Sequence, residues 1–162
     1  MPKTLVLGLG NPIVSDDGVG IYAAREIFKI IKVNEDVVVK EASIAGFDLI
    51  DLLSGYERVI IIDAIKTGKM PPGYIFELTP EDMATTVRLA YIHEIDLPMA
   101  LELGKKLNIP MPEEVIILAV EVEDMSTFSE ELTSKVGEAL PLVVKMALNI
   151  CRDNPINKWF QK

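Results

Sequence analysis

The sequence predicts a single α/β domain, built on a mostly parallel, mixed sheet of about five strands with helices on both faces. Short apolar runs rich in β-branched residues alternate with longer helical patterns, as they do in βαβ units. The runs are apolar without interruption, which is typical of strands that are buried on both faces of a sheet. A length of 162 residues is sufficient for one domain with a full hydrophobic core.

The predicted strands and helices alternate along most of the chain. The strands are Thr4–Leu9, Val37–Lys40, Arg58–Asp63, Gly73–Leu78 and Val115–Val120. The helices are 18–32, 47–54, 80–86, 96–107 and 129–150. Ser129, which two acids follow, indicates the N-cap of the last helix, and Pro141 is expected to kink or interrupt that helix. The domain is predicted to span residues 1–151, with a polar tail at 152–162.

The composition excludes several classes of protein. A formal net charge of −9 disfavours a nucleic-acid partner, because such a surface repels phosphate backbones. The single cysteine, Cys151, cannot form an internal disulfide, and its apolar surroundings predict an unreactive core thiol. No apolar run reaches the roughly 18 residues that a membrane span needs, and no secretory signal opens the chain. We therefore expect a cytoplasmic monomer with no membrane segment.

The first strand runs into a glycine-rich acidic loop, GLGNPIVSDDGVG, which extends from Gly8 to Gly20. A dinucleotide fingerprint would need a glycine where Ile13 stands, and a Walker A loop would need a Gly-Lys-Ser/Thr that is missing. The adjacent carboxylates of Asp16 and Asp17 would also repel a phosphate. Taken alone, the loop is typical of a turn in which one of these acids caps the following helix.

Three side chains that suit a metal lie at separate places along the chain. Asp17 follows the first strand and Asp63 ends the third, and such strand ends converge on one crevice in an open α/β sheet. Asp63 follows four β-branched residues, so its carboxylate needs a cation, a metal or several hydrogen-bond donors. His93 is the only histidine and would by itself be an ordinary surface or core residue. Together the three offer two oxygen ligands and one nitrogen ligand, which suit nickel or zinc better than calcium.

These residues resemble the motifs of the hydrogenase maturation endopeptidases. That family opens with a strand that runs into Gly-x-Gly-Asn and then into an acidic pair followed by glycine. It continues with Asp-Ala after a buried strand and with a histidine before a helix. The likeness covers roughly residues 3–150. The matching positions are Gly8, Gly10, Asn11, Asp16, Asp17, Gly18, Asp63, Ala64 and His93.

The resemblance implies a phosphorylase/hydrolase-like fold and an endopeptidase that acts once on its substrate. That substrate is the precursor of a nickel–iron hydrogenase large subunit, from which a C-terminal extension is removed after nickel has been inserted. The resemblance also implies that Asp17, Asp63 and His93 are the metal ligands, with nickel supplied by or shared with the precursor. Asp17 and Asp63 are the catalytic candidates. The sequence leaves two roles for the nickel open, one in cutting the peptide and one as a recognition element.

The supporting loop residues implied by the resemblance are Gly10, Asn11, Asp16 and Gly18. One feature departs from the family pattern: Ala42-Ser43-Ile44 stands where a Gly-Gly-Thr-like turn is common. Two alternative functions are a non-proteolytic nickel-binding chaperone of the large subunit and, more remotely, a peptidyl-tRNA hydrolase. The latter shares the Gly-x-Gly-Asn-Pro opening, but this chain lacks that family's next glycine and its early histidine.

Overall fold

The computed structural model describes residues 4–31, 36–43, 48–85 and 97–153, and it contains the predicted five-stranded sheet. The strands are β1 (Thr4–Leu9), β2 (Val37–Ala42), β3 (Arg58–Ile65), β4 (Ile75–Leu78) and β5 (Glu114–Glu121). Their order across the sheet is β2-β1-β3-β5-β4. All neighbouring pairs are parallel except β4 and β5, which are antiparallel, so the prediction of a mixed, mostly parallel sheet is confirmed.

The helices fall close to the predicted ranges. They are α1 (Val19–Ile31), α2 (Asp48–Leu53), α3 (Pro80–Thr85), α4 (Leu97–Lys106) and α5 (Ser134–Arg152). A short 3-10 helix, Ser15–Gly18, leads directly into α1. None of the helices within the described ranges combines the length and hydrophobicity that crossing a membrane requires.

Two apolar layers cover the two faces of the sheet. Alternate residues of each central strand point to opposite faces, so Ile61 and Ile65 of β3 pack in one layer while Ile60 and Ile62 pack in the other. The first layer is completed by α2 and α4, and the second by α1 and α5. Burial on both faces explains why these strands are apolar at successive positions.

The prediction for the start of the last helix is wrong. Ser129 is not its N-cap, because Ser129 forms a parallel β-bridge with Val14, more than a hundred residues earlier in the chain. Helix α5 begins at Ser134, with Thr133 in the N-cap position. Pro141 lies inside α5, which continues past it without interruption to Arg152. The remainder of the predicted polar tail, residues 154–162, lies outside the described residues.

Candidate functional site

The strand order identifies the edge of the sheet where a ligand would bind. From β1 the chain passes to β2 on one side, and from β2 it crosses to β3 on the other side of β1. The point where the order reverses therefore lies between β1 and β3, and ligands of open α/β sheets bind outside the carboxyl ends of the strands at such a point. The loop that contains Asp17 follows β1, and Asp63 lies near the carboxyl end of β3.

Close packing of α1 brings these two segments together. A Cβ atom on Gly20 would overlap the carbonyl oxygens of Leu9 and Ile62, which end or nearly end β1 and β3. Only glycine permits this approach of the helix start to two strand ends. The 3-10 helix that carries Asp17 also packs against β3. Because Ile62 directly precedes Asp63, the structure places both predicted acids at the same part of the sheet edge.

The loop between β1 and α1 is shaped by its own backbone. Gly10 has φ of +142°, a conformation that other residues rarely adopt, and a Cβ there would collide with the carbonyl oxygen of Asp17. That same oxygen accepts a hydrogen bond from the backbone N–H of Asn11 at 3.2 Å. The Asn11 side-chain oxygen accepts from the N–H of Ile13 at 3.2 Å. A Cβ on Gly18, which closes the 3-10 helix, would lie 2.9 Å from Pro12 Cα. Gly10, Asn11 and Gly18 thus lie in one tight loop, and their supporting role at the site stays a prediction.

Ser43 gives a structural account of the departure from the family's usual turn. Its hydroxyl donates a hydrogen bond of 2.5 Å to the carbonyl oxygen of Gly10. The N–H of Gly10 in turn donates to the carbonyl oxygen of Ala42 at 3.2 Å. The end of β2 is therefore tied to the first turn of the acidic loop through a side chain and a backbone bond.

Asp16 has a structural role that its position in the sequence did not reveal. Its carboxylate is fully buried, and it accepts four hydrogen bonds from the segment between β5 and α5. The donors to Oδ2 are the N–H groups of Glu123 and Asp124, each at 3.0 Å, and the hydroxyl of Thr133 at 2.8 Å. Oδ1 accepts from the N–H of Thr133 at 2.7 Å. These partners show that Asp16 fastens two loops together; of its two expected roles, shaping the loop and capping the following helix, the helix cap is wrong.

Asp17 and Asp63 are both buried acids near the carboxyl ends of β1 and β3. Asp17 is 6% exposed and Asp63 is fully buried. Oδ1 of Asp63 accepts a hydrogen bond from the N–H of Ala64 at 2.8 Å. Both side chains offer carboxylate oxygens, which divalent metals accept as ligands, at this edge of the sheet.

The third predicted ligand, His93, lies outside the described residues. Helix α4 begins at Leu97, four residues further along, and Leu97 is buried in the same core layer as Ile61 and Ile65. Asp63 belongs to the same alternation as these two isoleucines, so it lies on the α2–α4 face of the sheet. Within residues 4–31, 36–43, 48–85 and 97–153, no three His, Cys, Asp or Glu side chains are arranged to hold a metal.

A further buried acid at this edge, Glu121, was not among the predicted site residues. It ends β5, is 1% exposed, and lies on the same face of the sheet as Asp63. Its carboxylate accepts hydrogen bonds from Thr67, one from the backbone N–H at 2.8 Å and one from the hydroxyl. Glu121 therefore holds the segment that follows β3. The sequence does contain a signal for Glu121, because an acid ends an apolar strand there, much as Asp63 lies near the end of another.

Fold and site together define an α/β protein with a doubly wound sheet that carries carboxylates at its switch point, where such sheets generally bind ligands. The family model for hydrogenase maturation proteases matches residues 21–150. The chain belongs to the hydrogenase maturation protease family, and it is accordingly a protease, a hydrolase that acts in hydrogenase maturation. The family model thus supports neither of the two alternative functions, the chaperone and the peptidyl-tRNA hydrolase.

Individual relatives agree with this assignment. The hydrogenase expression/formation protein HupD of Rhizobium leguminosarum is 23% identical over 153 residues, which are 93% of this chain and 75% of HupD. The hydrogenase maturating endopeptidase HybD from Escherichia coli shares the fold with a TM-score of 0.78 and 22% identity, over 93% of this chain and 92% of that one. HybD from Thermococcus kodakarensis, a nickel–iron hydrogenase maturation protease by name, gives a TM-score of 0.71 and 24% identity, over 93% and 99% of the two chains.

Proposed function

We propose that this protease removes the C-terminal extension from the precursor of a nickel–iron hydrogenase large subunit, after nickel has been inserted. We further propose that Asp17, Asp63 and His93 contact the nickel of the loaded precursor. The observation that carries this proposal is the placement of two buried carboxylates at the switch point between β1 and β3. The name of the Thermococcus kodakarensis relative, which specifies a nickel–iron hydrogenase, supports the class of substrate.

The nickel in this proposal belongs to the substrate. Two carboxylates and one imidazole leave coordination positions open, which ligands carried by the substrate can fill. Carboxylate oxygen and imidazole nitrogen are both acceptable ligands for nickel. A precursor whose cysteines already hold nickel would therefore complete the coordination of its own metal with these three side chains, and an unloaded precursor would lack that interaction.

We assign nickel to recognition and the proton transfers of peptide hydrolysis to a carboxylate, either Asp17 or Asp63. In that reaction a water oxygen attacks the carbonyl carbon while the carboxylate takes up a proton from the water. The carbon–nitrogen bond then breaks, and the same proton passes to the leaving amine. Both acids are buried at this edge of the sheet, which supports their assignment to the site.

The test compares a nickel-loaded precursor with the same precursor prepared without metal. The protease is incubated with each, and mass spectrometry measures the loss of the C-terminal peptide. We expect cleavage of the loaded form only. His93→Ala, Asp17→Asn and Asp63→Asn should each reduce cleavage by at least about a hundredfold, because each removes a nickel contact or the base.

A matched control is Asp51→Asn, which makes the same change at an exposed acid of α2 and should leave cleavage unaltered. Equal cleavage of loaded and metal-free precursor would contradict nickel recognition. Processing by His93→Ala at the wild-type rate would remove His93 from the site. Binding of the loaded precursor by the wild-type protein without any release of peptide would contradict the proposed reaction itself.

A further inference from the structure

Two large apolar side chains stand exposed beside the candidate site. Ile13 is 50% exposed and lies in the loop between β1 and α1. Phe128 is 84% exposed and lies in the segment 122–133, which connects β5 to α5. Both connections leave the carboxyl edge of the sheet, the edge where Asp17 and Asp63 lie. We call Ile13 and Phe128 together the apolar rim.

The backbone holds these two residues next to each other. The N–H of Ser129 donates to the carbonyl oxygen of Ile13 at 2.9 Å, and the N–H of Ser15 donates to the carbonyl oxygen of Ser129 at 2.8 Å. Val14 and Ser129 are thereby bridge partners, and Ile13 and Phe128 are the residues that immediately precede them. Ser15 adopts φ of +44°, a conformation that is unfavourable outside glycine, so the surrounding contacts hold it there.

Further contacts fix both loops before any partner arrives. The Asp16 carboxylate binds both ends of the 122–133 segment, at Glu123 and Asp124 and at Thr133. The hydroxyl of Tyr22 lies 2.6 Å from the carbonyl oxygen of Pro12 and 2.7 Å from that of Glu130, within reach of both loops. A surface that is already ordered loses little conformational entropy when a partner binds.

We infer that the apolar rim is a docking surface for the large-subunit precursor, next to the bond that is cut. A protease must admit a polypeptide to its crevice, and residues at the mouth of that crevice meet the part of the substrate beside the cleavage site. An exposed phenylalanine on a fixed loop has the features of an interface anchor, because it buries a large area with few rotatable bonds. This inference rests on the function proposed above and identifies the surface by which the substrate is held.

The charge of the segment indicates the chemistry of the partner surface. Residues 122–133 contain four acids, Glu123, Asp124, Glu130 and Glu131, and no lysine or arginine. The apolar rim therefore fits an apolar side chain of the precursor that is flanked by basic residues. Ion pairs between these acids and the partner's basic residues, at the margin of the interface, mainly raise the rate of association and weaken as salt is added.

The experiment measures the kinetics of cleavage of nickel-loaded precursor by Phe128→Ala. We expect KM to rise about tenfold with kcat unchanged, because truncating an anchor removes binding that is equal in the ground and transition states. Phe128→Leu should recover most of the loss. The thermal midpoint of both variants should match that of the wild type, because a side chain that is 84% exposed contributes little to the core.

The matched control is Phe28→Ala, which removes the same side chain from α1. Phe28 is 59% exposed and lines a groove of about 840 Å³ formed by α1, β2, residues 130–132 and Leu140, and neither residue of the apolar rim lines that groove. The inference is overturned if KM is unchanged in Phe128→Ala, or if KM rises equally in Phe28→Ala. Either result leaves the proposed function standing as long as the wild-type protein cleaves the precursor. Failure of the wild-type protein to cleave the precursor overturns the proposed function instead. Direct measurement of precursor binding to the two variants then decides the docking question separately.

Discussion

Replacement of Asp16 by asparagine tests how the two loops of the site are held together. The carboxylate accepts bonds from Glu123, Asp124 and Thr133 and donates none, so every one of its four partners is a donor. An asparagine side chain has the same shape but offers only one acceptor oxygen, and its other terminal group is itself a donor. The substitution Asp16→Asn therefore alters hydrogen bonding while it preserves volume.

The magnitude follows from counting these bonds. With its oxygen in the position of Oδ2, asparagine can keep the three bonds to that atom, but its amide then faces the N–H of Thr133, which loses the bond of 2.7 Å. A hydrogen bond to a charged group is worth about 1.5–3 kcal/mol, and leaving a buried donor unsatisfied costs a similar amount. We expect Asp16→Asn to lower the free energy of unfolding by about 3 kcal/mol. For a domain of this size that corresponds to a fall in Tm of about 6–12 °C.

Urea unfolding followed by circular dichroism measures this change. With a slope of about 2 kcal/mol per molar urea, the midpoint should fall by about 1.5 M. Thr133→Ala, which removes only the hydroxyl donor, should cost about 1 kcal/mol. Asp51→Asn, at an exposed acid, should stay within about 0.5 kcal/mol of the wild type. A midpoint for Asp16→Asn within about 0.3 M of the wild type would refute the view that this carboxylate fastens the loops.

Three further predictions concern other parts of the same edge. Gly10→Ala should destabilise the fold by several kcal/mol in urea unfolding, because the position has a positive φ and the added Cβ would collide with the carbonyl oxygen of Asp17. Gly55→Ala is the control: its φ is +89° but the space around it is open, so it should cost only about 1–2 kcal/mol. Glu121→Gln should lower the free energy of unfolding by about 1–3 kcal/mol, because the two bonds from Thr67 lose their charged acceptor; an unchanged urea midpoint would contradict the assigned contact. The hydroxyl of Thr127 and neighbouring N–H groups hold the pKa of Asp124 down to about 2 from its usual 3.8. The stabilisation from this lowered pKa is therefore present above pH 4 and lost as the pH falls toward 2, and an NMR titration of the carboxyl carbon that gave a pKa near 4 would disprove it.

Much of the fold follows from local patterns in the chain. Uninterrupted apolar runs identified the central strands, because strands buried on both faces need apolar side chains at every position. The start of α5 was misplaced for an equally physical reason. Ser129 and the acids after it have the local pattern of an N-cap, but the backbone of Ser129 is engaged by Val14. A contact between residues so far apart in the chain overrides a local preference and leaves no local signal.

The residues of the candidate site were likewise only partly predictable from the sequence. Asp63 was predicted because a carboxylate in an apolar strand is unusual, and Glu121 could have been found by the same reasoning. The loop after β1 was recognised from its glycines and its acidic pair. The different roles of Asp16 and Asp17 were not visible, because adjacent acids look alike until the partners of each carboxylate are known.

The sequence by itself therefore determined the class of fold, the strands of the sheet and the acids that end or follow them, because burial and side-chain chemistry are properties of short segments. Tertiary structure decided which strands are neighbours, and hence that β1 and β3 bring Asp17 and Asp63 to one edge. It also decided that Asp16 joins two loops and that Phe128 stands exposed beside them. These features depend on contacts between residues that are far apart in the chain, whose pairing is set by the packing of the whole domain.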